Sequence, residues 1–248
     1  MIKFFRNFRQ KLIKQNKMSK YFKYAIGEII LVVIGILIAL QINNWNEVRK
    51  LKVERKQLIT SIKEDLFADV LMINNLLERT IEDQKTLQKQ SEYISSKSFS
   101  IDSLSTFVKN TNQFYGPFQG FNNNAYNSAK SSGNIEIINT KLKRKLFELS
   151  VLQQDVQSTL KEYKDVHVNY IMKLHERFPI TFDFSFIKSG EAKDLMWSNV
   201  DKKELALKLN SWGTSKGNLY RLMIADLKKA LESTKEVLAI IDKENNND

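Results

Sequence analysis

Glu28 is the residue of this chain whose chemistry most needs a reason. It stands inside YAIGEIILVVIGILIALQINNWNE (residues 24–47), an otherwise largely apolar run. A carboxyl group in hydrocarbon is costly, so it faces protein or water and marks an assembly contact or an ion path. Counting along a helix, Gly35 and Ala39 follow at +7 and +11 and share the face of Glu28, which aligns an acid with a small-xxx-small pair. The spacing predicts a helix–helix seam through Glu28, Gly35 and Ala39, with Glu28 hydrogen-bonding to a copy of itself or to another membrane protein's span. Glu28 is four residues past Tyr24, about 6 Å along a helix axis, within reach of Lys20 or Lys23. That shallow depth weighs against a proton path.

Other residue types with chemical potential yield less. The two histidines, His167 and His175, are eight apart, roughly 12 Å along a helix, too far to chelate one metal unaided. HERF (residues 175–178) is not the H-E-x-x-H pattern of a helical zinc site, and both histidines read as ordinary polar residues. The absence of cysteine excludes disulfides, thiolate metal sites and cysteine nucleophiles. Gly116 and Gly120 in GPFQG lack the strand–turn–helix setting of a phosphate loop, and nucleophile-elbow and kinase signatures are missing. Glu64, Asp65, Glu82 and Asp83 lie among lysines on faces that read as solvated. The expectation is a non-enzymatic protein with no catalytic residue, cofactor or metal.

One cluster outside the apolar run has the composition of a binding surface. Tyr115, Phe118, Phe121 and Tyr126 lie beside Asn123 in a Gly-containing loop, and aromatic and amide side chains on loops are common at partner surfaces. The alternative is that these aromatics cap the end of a helical core. Both readings stand on sequence grounds.

The elements that position these residues are helices. With Gly at 8 and Pro at 2 in 248 residues, both breakers of helical continuity are scarce. Residues 24–42, as a helix, extend roughly 28 Å, the thickness of a bilayer's hydrocarbon. Tyr21, Phe22 and Tyr24 at one end and Trp45 at the other suit the two interfacial belts. A cleaved signal peptide would have a shorter apolar core, about 7–15 residues, and a small-x-small site. The domains expected are a basic amphipathic leader (1–23), a transmembrane helix (24–45) and an extracytoplasmic α-helical domain (46–248).

Beyond the span, Leu58, Ile59, Ile62, Leu66, Val70, Ile73, Leu77 and Ile81 recur at helical spacing, which predicts one helix continuing to Ile94. A connector with short helices over 101–109 and 121–131 follows. A second long helix runs from Thr140 to Phe178, with Leu142, Leu146, Leu149, Val156, Leu160, Tyr170 and Leu174 on its inner face. It ends before Pro179. ITFDFSF (180–186) alternates like a brief strand. The last helix starts near Asp201 and is interrupted at Gly213 or Gly217. The fold class is mainly α, an antiparallel helical bundle on a membrane stalk.

Of the net charge of +11, residues 1–23 carry +8, with no acidic group among them. A nucleic-acid reader carries its basic patch on the folded domain, so no nucleic-acid partner is expected. Eight cations precede the apolar run against five just after it, Arg49, Lys50, Lys52, Arg55 and Lys56. The heavier end stays in the cytoplasm. Ile2, Phe4, Phe5 and Phe8 share one side of a helical wheel and Lys3, Arg6 and Lys14 the other. The leader is therefore an inner-leaflet helix on the lipid bilayer or an unstructured orientation signal.

MIKFFRNFRQKLI, the run at 24–47 and AYNSAKSSGNIEII (125–138) together carry a likeness. On them the chain resembles an uncharacterised family of single-span membrane proteins of Gram-negative bacteria. The resemblance implies the bacterial inner membrane and no mechanism. The leading expectation is an interaction protein that assembles through its membrane helix and binds a partner protein or envelope component through a periplasmic bundle. The alternatives are a sensor subunit that passes ligand binding to a cytoplasmic partner, and an accessory subunit of an ion-driven machine using Glu28.

Overall fold

The computed structural model describes residues 18–96, 100, 118–180 and 186–245. The leader up to residue 17, the short helix expected over 101–109, Tyr115 and residues 181–185 of the expected strand lie outside them. The chain divides into two compact units, Met1–Gln57 and Leu58–Asp248. Helix α1 (Met18–Ser95) contributes residues to both.

In the first unit, residues 29–45 of α1 are exposed without a break. Leu31 is 71% exposed and Trp45 66%. Here α1 is long and apolar enough to cross a membrane, and no part of its most apolar stretch is buried in protein.

The second unit contains the rest of α1, α2 (Asn124–Ser132), a 3-10 turn (Asn134–Ile137), α3 (Thr140–Arg177), α4 (Glu191–Ser198) and α5 (Lys202–Asn245). Local chemistry sets the boundaries. Gly133 closes α2 at φ +80°, a left-handed conformation open to glycine, and its N–H bonds back to the Lys130 carbonyl. Asn139 caps α3 by accepting the Leu142 N–H at 2.8 Å. Pro179 holds Phe178 extended at φ −129° and ψ 146°, so α3 stops where the sequence predicts. Asp201 accepts the Lys203 N–H at 2.8 Å and starts α5.

Lys145 meets Glu236 and Arg177 meets Glu204, so α3 and α5 run antiparallel. Lys63 meets Asp242 and Leu87 lies against Gly217, so α5 is antiparallel to α1 as well. This leaves α1 and α3 parallel to each other, a departure from a simple up-and-down order. Three buried clusters fill the space. One joins Ile62 and Leu66 of α1 to Leu142, Leu146 and Ile241. The next joins Ile73 and Leu77 to Val156, Leu219 and Leu227. The third joins Ile171 and Phe178 to Leu205 and Trp212.

The fold is mainly α-helical, with both ends of α3 and the C-terminal end of α1 within a residue of those expected, whereas α1 starts at Met18 and not at Tyr24. It differs from the sequence reading in three further places. Helix α5 passes through Gly213 and Gly217 unbroken. Each interior glycine costs about 1 kcal/mol, and burial of Leu209, Trp212, Leu219 and Tyr220 around them exceeds that. Tyr170 of α3 points outward, while Gln153, His167 and Ile171 face the core. Helix α4 buries no residue fully and is only eight residues long, too short for sequence periodicity to mark it.

Candidate functional site

The residues singled out in the sequence occupy two separate settings. In α1, Glu28 is half-buried and Gly35 and Ala39 are exposed. The helix places all three on one face, and a Cβ added at Gly35 would meet nothing within 4 Å. Phe118 and Phe121 are half-buried, their rings edge to face at 5.1 Å, and rest on the middle core cluster. Tyr126 is 7% exposed within the first cluster. It is therefore a core residue and not part of an outward surface, because α2 turns that face onto α1 and α3. The Asn123 amide oxygen accepts from the Asn127 amide at 2.9 Å.

A polar node that sequence periodicity passes over ties this loop down. Asp69 is 0% exposed. Its Oδ1 accepts the Asn122 backbone N–H at 2.7 Å and the Asn122 amide at 2.9 Å, and its Oδ2 accepts the Gln153 amide at 2.9 Å. Burial raises the Asp69 pKa, against the lowering effect of the bonds from Asn122 and Gln153. Asp65, one turn earlier, accepts the Ala125 N–H at 2.9 Å and so departs from the solvated reading. These carboxylates join α1, the loop and α3. The cavity beside them, about 20 Å3, holds no more than a water. Their role is positional.

A second buried polar cluster lies between α1, α3 and α5. Lys216 is 4% exposed. Its Nζ lies 5.2 Å from the Trp212 ring centre and 5.7 Å from that of Tyr220. Burial pushes the Lys216 amine down to about 8, partly offset by the charge of Asp83. Burial also raises the Tyr220 phenol, helped by its hydrogen bond to Asp83. Asp83, half-buried, is therefore a partner of Tyr220 and not a fully solvated acid. His167, 0% exposed, sits with its ring 6.2 Å from Trp212. His175 is half-buried, with a pKa lowered by burial. The structure leaves the histidines apart, as their spacing requires. Among the described residues no group of three or more His, Cys, Asp or Glu side chains is placed to hold a metal ion.

Next to this cluster a groove of about 740 Å3 opens between residues 84–95 of α1 and 206–217 of α5. Trp212 belongs to both, buried under Lys216 on one side and reaching the groove wall on the other. Gly213 and Gly217 leave that wall without side chains. Nothing in the notation of charge or apolar spacing marks this groove. Its nearest sequence signal is the pair of glycines, which invites a helix break.

Residues 28–149 match the model of a family of unknown function, DUF6090. The matched stretch holds Glu28, Gly35 and Ala39 and the Asp69 node with Asn122. The α5 wall of the groove and Lys216 lie beyond it. No curated protein and no solved structure matches the chain.

Proposed function

We propose that this is a membrane-anchored, non-enzymatic interaction protein. The observation that supports it is the apolar stretch of α1, which is exposed from residue 29 to 45. Water would not tolerate so large an apolar surface on one helix, whereas lipid would cover it at no cost. In this reading residues 1–23 stay in the cytoplasm, residues 24–45 cross the bacterial inner membrane, and the helical bundle of residues 46–248 stands in the periplasm. The excess of cations before the span sets that direction. Protease added to intact spheroplasts should degrade the bundle and spare an N-terminal tag. Protection of the bundle, with digestion of the tag, would reverse the orientation, and a chain recovered in the soluble fraction would remove the anchor.

The span itself assembles through Glu28, Gly35 and Ala39. A hydrogen bond or close small-residue packing in such a seam is worth about 1–2 kcal/mol, roughly a tenfold change in association. Glu28→Gln and Gly35→Leu should each lower crosslinking yield between spans in native membranes by about that factor. An unchanged yield in both variants would end the seam reading. An unchanged yield with loss of an ion-dependent phenotype in Glu28→Gln would favour the ion-driven machine.

A further inference from the structure

The groove between α1 and α5 has a lining chemistry that names a ligand class. None of the fourteen described residues that line it is charged, in a chain with 27% charged residues. Its size falls within the range of small-molecule sites. Exposed amides and hydroxyls edge both sides, Gln88 and Ser91 on α1 and Asn210 and Thr214 on α5, and Gln88 already donates to Glu92 at 3.0 Å. Buried apolar groups, Leu209 and Trp212, form the floor.

Each polar side chain on the rims both donates and accepts hydrogen bonds. A sugar hydroxyl does the same, and the C–H face of a pyranose ring suits an apolar floor. A phosphate or carboxylate ligand would meet no cation among the described lining residues, and a bare acyl chain would leave the amides unused. The glycines supply an independent argument. A Cβ at Gly213 would meet nothing within 4 Å, and one at Gly217 would touch the Leu87 Cδ2 at an ordinary 3.7 Å. Neither glycine has a positive φ, so neither packing nor backbone conformation calls for glycine at these sites. Glycine weakens the helix there. What the two positions secure is an open groove wall.

We propose that this groove binds a short, uncharged oligosaccharide. The proposal deepens the reading of the helical domain as an interaction module and rests on that reading, but not on the membrane placement. The full chain, purified in a detergent without a sugar headgroup, would be titrated calorimetrically with oligomers of N-acetylglucosamine and of glucose. A uronate oligomer and an uncharged extended peptide serve as comparators. At least one neutral oligosaccharide should bind with a Kd of roughly micromolar to millimolar, and the uronate oligomer about tenfold more weakly or worse. Gly213→Leu should lower the affinity about tenfold or more by filling the groove, with a melting midpoint at or above that of the wild type. If that variant does not fold, Asn210→Asp on the exposed rim replaces it and should weaken the uronate oligomer further by like-charge repulsion, widening the preference for neutral oligomers.

Absence of binding by both neutral series, unchanged affinity in the variants, or preference for the peptide or the uronate would each overturn the proposal. A partner protein that still co-purifies with a chain blind to sugars would leave the interaction module standing. Loss of both would remove the two together.

Discussion

Asp69→Ala should destabilise the helical domain by about 3–5 kcal/mol, a large fraction of the 5–15 kcal/mol that ordinarily holds a domain together. The substitution leaves the Asn122 N–H, the Asn122 amide and the Gln153 amide without their shared acceptor, the last of these in a fully buried setting. It also opens a void between α1 and α3. Denaturant unfolding of the full chain, followed by far-UV circular dichroism, would measure the loss. Asp69→Asn keeps the shape and one acceptor oxygen, and the Gln153 amide can turn over to meet the new NH2. Its cost should be less than half that of alanine. Equal stability of Asp69→Ala and wild type would show that the loop at Asn122 is not held by this node.

Lys216→Met should act in the opposite direction. The pKa of Lys216 falls from 10.5 to about 8 in the folded protein, which corresponds to about 3 kcal/mol of penalty for carrying the charge in the core. Methionine has a similar length and packs readily between Trp212 and Tyr220, so the variant should gain about 2–3 kcal/mol at pH 7. The pH dependence separates charge from packing. Below pH 8 both folded and unfolded chains hold the proton and the penalty is fully present. Between about 8 and 10.5 the folded chain releases it first, and wild-type stability rises toward that of the variant. Above 10.5 the gap should vanish. A gap that persists there would mean that methionine gains by shape alone. A variant less stable than wild type at pH 7 would show that the ring contacts and Asp83 outweigh burial.

Helical periodicity identified which apolar residues face inward along α1, since Ile59, Ile62, Leu66, Ile73 and Leu77 are all buried. It left Asp69 unread because Asp69 and Val70 both satisfy a three-or-four spacing from Leu66 and Ile73, and the apolar one was the natural choice. The structure buries Asp69 completely and Val70 only in part. What turns the carboxylate inward is a donor set from Asn122 and Gln153, which are 53 and 84 residues away in sequence. The same holds for Lys216 and His167, which are buried where Trp212 and Tyr220 of α5, Asp83 of α1 and His167 itself on α3 come together. The aromatic loop was legible as a group of residues. The inward orientation of Phe118, Phe121 and Tyr126 was not, because amphipathic aromatics serve cores and surfaces equally well.

The sequence by itself determined the helical class, the apolar stretch of α1 around Glu28, and the boundaries at Thr140 and Pro179. These follow from neighbours a few residues apart, through backbone sterics, capping and the count of apolar side chains. Tertiary structure decided the rest: the continuity of α5 through Gly213 and Gly217, the burial of Asp69 and Lys216, and the uncharged groove between α1 and α5. Each of these depends on groups brought together from distant parts of the chain. Packing energy there outweighs the local preference for a helix break or a solvated charge.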